Sequence, residues 1–320
     1  MKKKVVVFGG GNGSAMMMRA LKRHTDVFDT YAVVSMSDSG GSSGRLREEF
    51  NTLPPGDILR AVLASSKYSY KEFLKPLFYG TRFDASGKLS GHNLGNLFLT
   101  LGSEYAGAYM DAINALSQAV EAQGTVYPAT LTPNNLVATL QDGSELFGEH
   151  AIDRPGEQRS PIMEVRLEPH VDAFVGCLSA IEQSDFLMFG PGSLYCSVVA
   201  SVLPKGIRDA IEKSNARLVY VAGDIYELEG EAGPTALSEF VRQLEQYVPR
   251  KIDSIIFNGQ DLSEKQAAYY KEKMWGRLTF DRELLSNYDI IDIPFEKEHG
   301  GLDPEKLGLI LRNLVTSYEN

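Results

Sequence analysis

Thiols are nearly missing from this 320-residue chain, whose two cysteines are Cys177 and Cys196. That excludes a disulfide framework and any multi-thiol metal centre, and it fits a reducing, cytoplasmic setting. Long apolar runs are missing as well: no segment reaches the ~20 residues needed to span a bilayer. The run Val5 to Phe8 follows Lys2-Lys3-Lys4 but meets Gly9-Gly10-Gly11 too early to be the core of a signal peptide. Positive charge is in the minority, with 32 Lys and Arg against 42 Asp and Glu, a net charge of −10. Nonspecific contact with nucleic acid or a membrane is thereby disfavoured, and any phosphate site must be built locally.

What the chain does have is an ordinary globular composition, 43% apolar and 23% charged, at a length sufficient for one large core. Short apolar runs alternate with amphipathic stretches, the pattern of parallel strands joined by helices. Val5 to Phe8 reads as the first strand, a helix carrying Met16, Met17, Ala20 and Leu21 inward follows, and Tyr31 to Met36 reads as the second strand. Further strands are expected at Phe186–Phe189, Leu218–Ala222, Ile255–Asn258 and Tyr288–Ile291, with a closing helix over Asp303–Tyr318. Between about residues 125 and 167 period-2 alternation takes over, and Asp142-Gly143 has the chemistry of a hairpin turn. The expected architecture is a single α/β domain over 1–320, a Rossmann-like three-layer α/β/α fold with a mostly parallel sheet. A small antiparallel β insertion is expected at 125–167.

Four loops carry the chemistry, and a fifth, at Pro54 to Asp57, stands beside them. Gly10-Gly11-Asn12-Gly13 follows the first strand and opens a helix, so backbone amides and the helix dipole can face a phosphate. After the second strand, Asp38-Ser39-Gly40-Gly41 and Arg45 combine a carboxylate, a hydroxyl, glycines and a guanidinium. Asp38 is placed to meet a ribose or to hold Mg²⁺ against phosphates, and Arg45 or Arg47 to neutralise phosphate oxygens. The plain alternative is a polar loop whose Asp38 caps a helix. Prolines 54 and 55 stop helix before Gly56, and Asp57 is expected to cap the helix that follows. His92, Asn93 and Asn96 stand at the start of an apolar helix; His92 is a candidate base alongside Asp38, a phosphate donor or a cap, and the asparagines offer amide contacts or capping. Gly190, Gly192 and Ser193 form a second anion cradle at a helix start.

Other chemistries lack their signatures. His24, His150, His170 and His299 have no metal-ligand spacing, so surface or capping roles are the default. Ser193 sits outside a nucleophile-elbow pattern, and no lysine follows the glycines as a Walker site requires. A nicotinamide oxidoreductase remains a third reading, on a poor fingerprint. Because ligands of open α/β sheets settle outside the carboxyl ends of the strands, the four loops are expected to share one crevice holding a nucleotide diphosphate.

Taken in order, GGGNG at Gly9 to Gly13, SDSGGSSGRLR at Ser37 to Arg47, PPGD at Pro54 to Asp57, GHNLGN at Gly91 to Asn96 and FGPGSLY at Phe189 to Tyr195 resemble the CofD-like family of gluconeogenesis factors and 2-phospho-L-lactate transferases. The resemblance implies two branches. One acts as a regulator of carbon metabolism and cell shape that binds a UDP-sugar, and SGGSSGRLREE followed by PPGD looks like this branch. The other uses magnesium to move a phospholactyl group from a nucleotide diphosphate donor to a deazaflavin alcohol. The same resemblance implies that Gly10 to Gly13 hold phosphate and that Asp38 faces metal or ribose. His92, Asn93 and Asn96 would line the pocket, and Gly190, Gly192 and Ser193 would close it. The implied partner is a small nucleotide ligand, with no nucleic acid or membrane, and a homo-oligomer is left open. Asn12, Ser39 and Gly223 depart from the family pattern of threonine, an acid or asparagine, and asparagine respectively.

Overall fold

Val5, Val6, Val7 and Phe8 are all fully buried, although side chains of a strand alternate between its two faces. Both faces of this strand must therefore be covered. In the computed structural model, which describes residues 1–80, 82, 83, 87, 89–154 and 160–318, β1 (Lys3–Gly9) lies inside a seven-stranded sheet. Val5 and Val7 pack with Met17, Leu21, Leu307 and Leu311, while Val6 and Phe8 pack with Cys177, Ile181 and Val241. Burying each such side chain contributes about 1.5–3 kcal/mol, which makes the three-layer sandwich the stable arrangement.

The other strands of the sheet are β2 (Phe28–Val34) and β3 (Thr125–Pro128) on one side, and β7 (Phe186–Phe189), β8 (Arg217–Val221), β10 (Ser254–Phe257) and β12 (Asp289–Asp292) on the other. Their order is β12-β10-β8-β7-β1-β2-β3, and every pairing is parallel. Chain order thus runs outward from β1 in one direction and outward from β7 in the other. The β1/β7 junction is the switch point where a crevice opens.

A separate antiparallel sheet of β4 (Asn135–Leu140), β5 (Glu145–Phe147) and β6 (Ile162–Glu168) has the order β5-β4-β6 and turns at Asp142-Gly143 as expected. The expected boundary needs correction: Thr125–Pro128 pairs in parallel with β2 and belongs to the main sheet. A two-stranded ribbon of β9 (Ile225–Glu227) and β11 (Trp275–Arg277) was not anticipated. Expected strand limits elsewhere hold to within a few residues, and Phe186–Phe189 holds as stated. His24 is a further correction, since it is buried against Phe28 rather than held at the surface. No helix among the described residues is long and apolar enough to cross a membrane.

Candidate functional site

Helix α1 (Gly11–Leu21) begins directly after β1, and its N-cap Gly10 offers no side chain to the first amides. A Cβ on Gly13 would overlap the carbonyl of Pro191, so the loop after β1 and the loop after β7 are in contact at the switch point. Glycine is required there for close approach. The second loop leads into α2 (Gly41–Phe50), and the third into α3 (Gly56–Ser65). Gly56 faces Ser43 and the Asp38 carboxylate, and Gly10 faces the Asp57 carboxylate, each so closely that a Cβ would crowd them. Helix α4 (Leu94–Ala106) brings in the fourth loop, with Asn93 accepting from the Asn96 amide at 2.8 Å as its N-cap.

These loops surround a cavity of about 710 Å³. Gly10, Gly11, Asn12, Gly13, Asp38, Gly40, Gly41, Asp57, Asn93, Asn96, Gly192 and Ser193 line it. Ser39, Arg45, His92 and Gly190 do not line it. Ser39 accepts from the His150 amide at 3.0 Å, and Arg45 holds the Ser90 carbonyl at 3.0 Å ahead of α4. His92 is 2% exposed, with Nδ1 2.8 Å from Ser42 Oγ, which also accepts from Asn96 Nδ2 at 3.0 Å. Burial, and next the Arg45 charge, hold the His92 imidazole below its ordinary pKa. Arg47 straps the Asp38 carbonyl at 2.9 Å to Asn135 Oδ1 at 3.2 Å and is a structural tie.

Asp57 does not cap α3. Pro55 takes that N-cap position, and the Asp57 carboxylate instead accepts from the Gly11 amide and pairs with Arg60 at 3.0 Å. Arg60 is fixed by the Tyr79 hydroxyl, 2.8 Å away. A second carboxylate plays the same part after β7: Glu231 accepts from the Tyr195 and Cys196 amides at 3.1 and 3.0 Å. Amides expected to be free for an anion at both helix starts are therefore partly taken by the protein's own acids. At α1 the helical ladder begins with Ser14 N on Gly10 O at 3.2 Å, which leaves the Asn12 and Gly13 amides ahead of it.

Further acids converge where no motif announced them. Glu149 and Asp153 line the cavity, and with Cys196 they place one ligand atom each within 4.8 Å of one another. Burial, and then the nearby Asp38, Asp153 and Asp57 charges, push Glu149 up to about 8. Burial and Asp38 push Asp57 up to about 6 against the pull of Arg60, and burial raises Glu231 to about 7. Arg19, Arg82, Arg154 and Lys297 also line the cavity and supply positive charge. Asn93 Nδ2 and Asn96 Oδ1 are buried without partners, a donor and an acceptor that a bound molecule can satisfy.

This geometry has counterparts. Residues 5–293 match the family model described as 2-phospho-L-lactate transferase CofD. The chain belongs to the CofD family. Among CofD-family relatives, the gluconeogenesis factor of Halalkalibacterium halodurans is 36% identical over 85% of this chain and 83% of its own length. That of Listeria monocytogenes is 34% identical over 96% and 87%. A solved Bacillus halodurans member of the UPF0052 family superposes with a TM-score of 0.88 at 32% identity, covering 97% of this chain and 99% of that one. The CofD-family fold thus accounts for the parallel sheet and for the junction on which the cavity sits.

Proposed function

We propose that this chain is a regulator of the gluconeogenesis-factor type that binds a nucleotide sugar, with a UDP-sugar as the ligand class. Its setting would be the cytoplasm, and its role the control of carbon metabolism and cell shape. The observation that carries the reading is the contact of Gly13 with Pro191, which joins two glycine loops at the β1/β7 junction beside the unpartnered Asn93 and Asn96 atoms. A diphosphate there would take the Asn12 and Gly13 amides with Gly192 and Ser193. His92, enclosed behind Ser42, is a positioning group for the lining in this reading.

The oxygen-rich set of Asp38, Asp57, Glu149 and Asp153 suits a hard divalent ion such as Mg²⁺, whose charge would offset the burial and the repulsion that raise Glu149 and Asp57. When bound, such an ion would neutralise the diphosphate. Calorimetry with UDP-N-acetylglucosamine, with and without Mg²⁺, tests the reading: saturable heat is expected, and heat from no nucleotide sugar rejects it.

The acid cluster also favours a second reading, Mg²⁺-dependent phospholactyl transfer, in which the same groups hold a nucleotide diphosphate donor. Incubation with a lactyl nucleotide diphosphate, a deazaflavin alcohol and Mg²⁺ then yields a phosphodiester, with the P–O–P bond broken and a nucleoside monophosphate released; absence of product removes this alternative.

A further inference from the structure

The end of the cavity beyond β8 has a different chemistry from the glycine loops. Gly223 packs on Pro191, with 3.8 Å between the position of an added Cβ and the proline ring, and so leads the chain away from the phosphate loops. The next residue, Asp224, lines the cavity yet is 1% exposed. Its Oδ2 lies 3.5 Å from the Tyr270 hydroxyl, and its Oδ1 is buried with no partner. Arg277 is the neighbouring cation, but its guanidinium is spent on the Asn258 and Gln260 carbonyls and on Asp261. A buried acceptor left unpaired is costly, so a group that donates to it is favoured.

Aromatic rings set at steep angles to one another stand beside that oxygen. Trp275 packs edge-on to Tyr269 with ring centres 5.8 Å apart, and it lies 5.7 Å from Tyr270. On the paired strand, Tyr226 sits opposite Gly276, and a Cβ there would strike the tyrosine ring. Tyr226, Tyr269 and Trp275 all line the cavity. A planar heterocycle that donates one ring N–H matches this combination of aromatic wall and single carboxylate acceptor.

We propose that this end of the cavity is a nucleobase subsite, in which Tyr226, Tyr269 and Trp275 enclose the base, against its face and its edge, and Asp224 Oδ1 accepts its ring N–H. The inference rests on the nucleotide reading above and narrows it. Uracil N3–H and guanine N1–H are donors and suit the carboxylate. Cytosine N3 and adenine N1 are acceptors at the corresponding position and oppose it.

The chain has one tryptophan, so its emission reports this subsite directly. Titrate the protein at pH 8 with UDP, GDP, CDP and ADP, following heat and Trp275 fluorescence, and repeat with Asp224→Asn, whose amide serves a donor or an acceptor equally. UDP and GDP are expected to bind about tenfold or more tightly than CDP and ADP and to change Trp275 emission; in Asp224→Asn the four affinities draw together. Equal binding of all four by the wild type, binding of UDP without any change at Trp275, or an unchanged ranking in Asp224→Asn each overturns the subsite while leaving nucleotide binding intact. If none of the four binds, the nucleotide reading fails and the subsite with it.

Discussion

Asp57 accepts a hydrogen bond from the Gly11 amide, so the first turn of α1 already holds one of the protein's own negative charges. A diphosphate entering that turn meets this charge, which Arg60 at 3.0 Å offsets in part and a bound cation would offset further. Asp57→Asn keeps the shape and removes the charge. Without metal, this variant should bind UDP-N-acetylglucosamine more tightly than the wild type, and with Mg²⁺ the wild type should regain the advantage. Calorimetry under both conditions checks the crossing; parallel responses would argue against a shared cation.

Stability should fall as pH rises. Asp57 and Asp224 are raised to about 6, Glu231 to about 7 and Glu149 to about 8, all above the ordinary carboxyl values of 3.8 and 4.5. Between these limits the folded chain keeps protons that the unfolded chain has released, so the contribution of these groups is full below about 4 and lost as pH passes through the raised values. The ligand-free protein should melt lower at pH 8 than at pH 5.5, with Mg²⁺ narrowing the gap. A melting temperature that is flat or climbs over that window contradicts the assignment.

Asn93 allows its two roles to be separated. Oδ1 caps α4, while Nδ2 is free for a ligand. Asn93→Ser retains a capping oxygen without adding a charge and loses the Nδ2 donor, so ligand affinity should drop about tenfold or more with a smaller change in urea midpoint than Asn93→Ala. Asn93→Ala should lose affinity and also about 0.5–2 kcal/mol of stability. Equal stability loss in both variants would show that capping is not the difference.

Gly13→Ala should be costly out of proportion to one methyl group. The added carbon overlaps the Pro191 carbonyl, which is backbone and cannot swing aside. About 1–3 kcal/mol of destabilisation is expected in urea unfolding, together with weakened binding of any nucleotide. By contrast, a Cβ on Gly143 meets nothing within 4 Å, although a φ of +83° would strain any residue but glycine, and Gly143→Ala should leave binding unchanged.

The parallel core was legible because buried strands such as Phe186–Phe189 are short, wholly apolar and bounded by turn residues. The meeting of the loops was legible because ligands of open α/β sheets settle outside the carboxyl ends of the strands, where such loops converge. Thr125–Pro128 was misplaced because an edge strand of four residues adjoins a truly antiparallel stretch, and local alternation cannot reveal which sheet a strand joins. The ribbon of β9 and β11 escaped because three-residue strands 50 positions apart leave no periodic signal. Asp57 was read as a local cap; its carboxylate reaches across to another helix, a tertiary choice that propensity does not encode. Glu149, Asp153, Asp224 and Glu231 belong to no spacing pattern. Their importance lies in burial and, for Glu149, Asp153 and Glu231, in repulsion from other acids, both products of folding.

The touch between Gly13 and Pro191 joins stretches of chain far apart in sequence, one from each half of the sheet. A molecule gripping that seam would hold both halves at once, so slowed amide exchange should emerge together in the segments after β1 and β7. A loosened seam would release them together, making the site a clasp between halves that are otherwise wound in opposite directions.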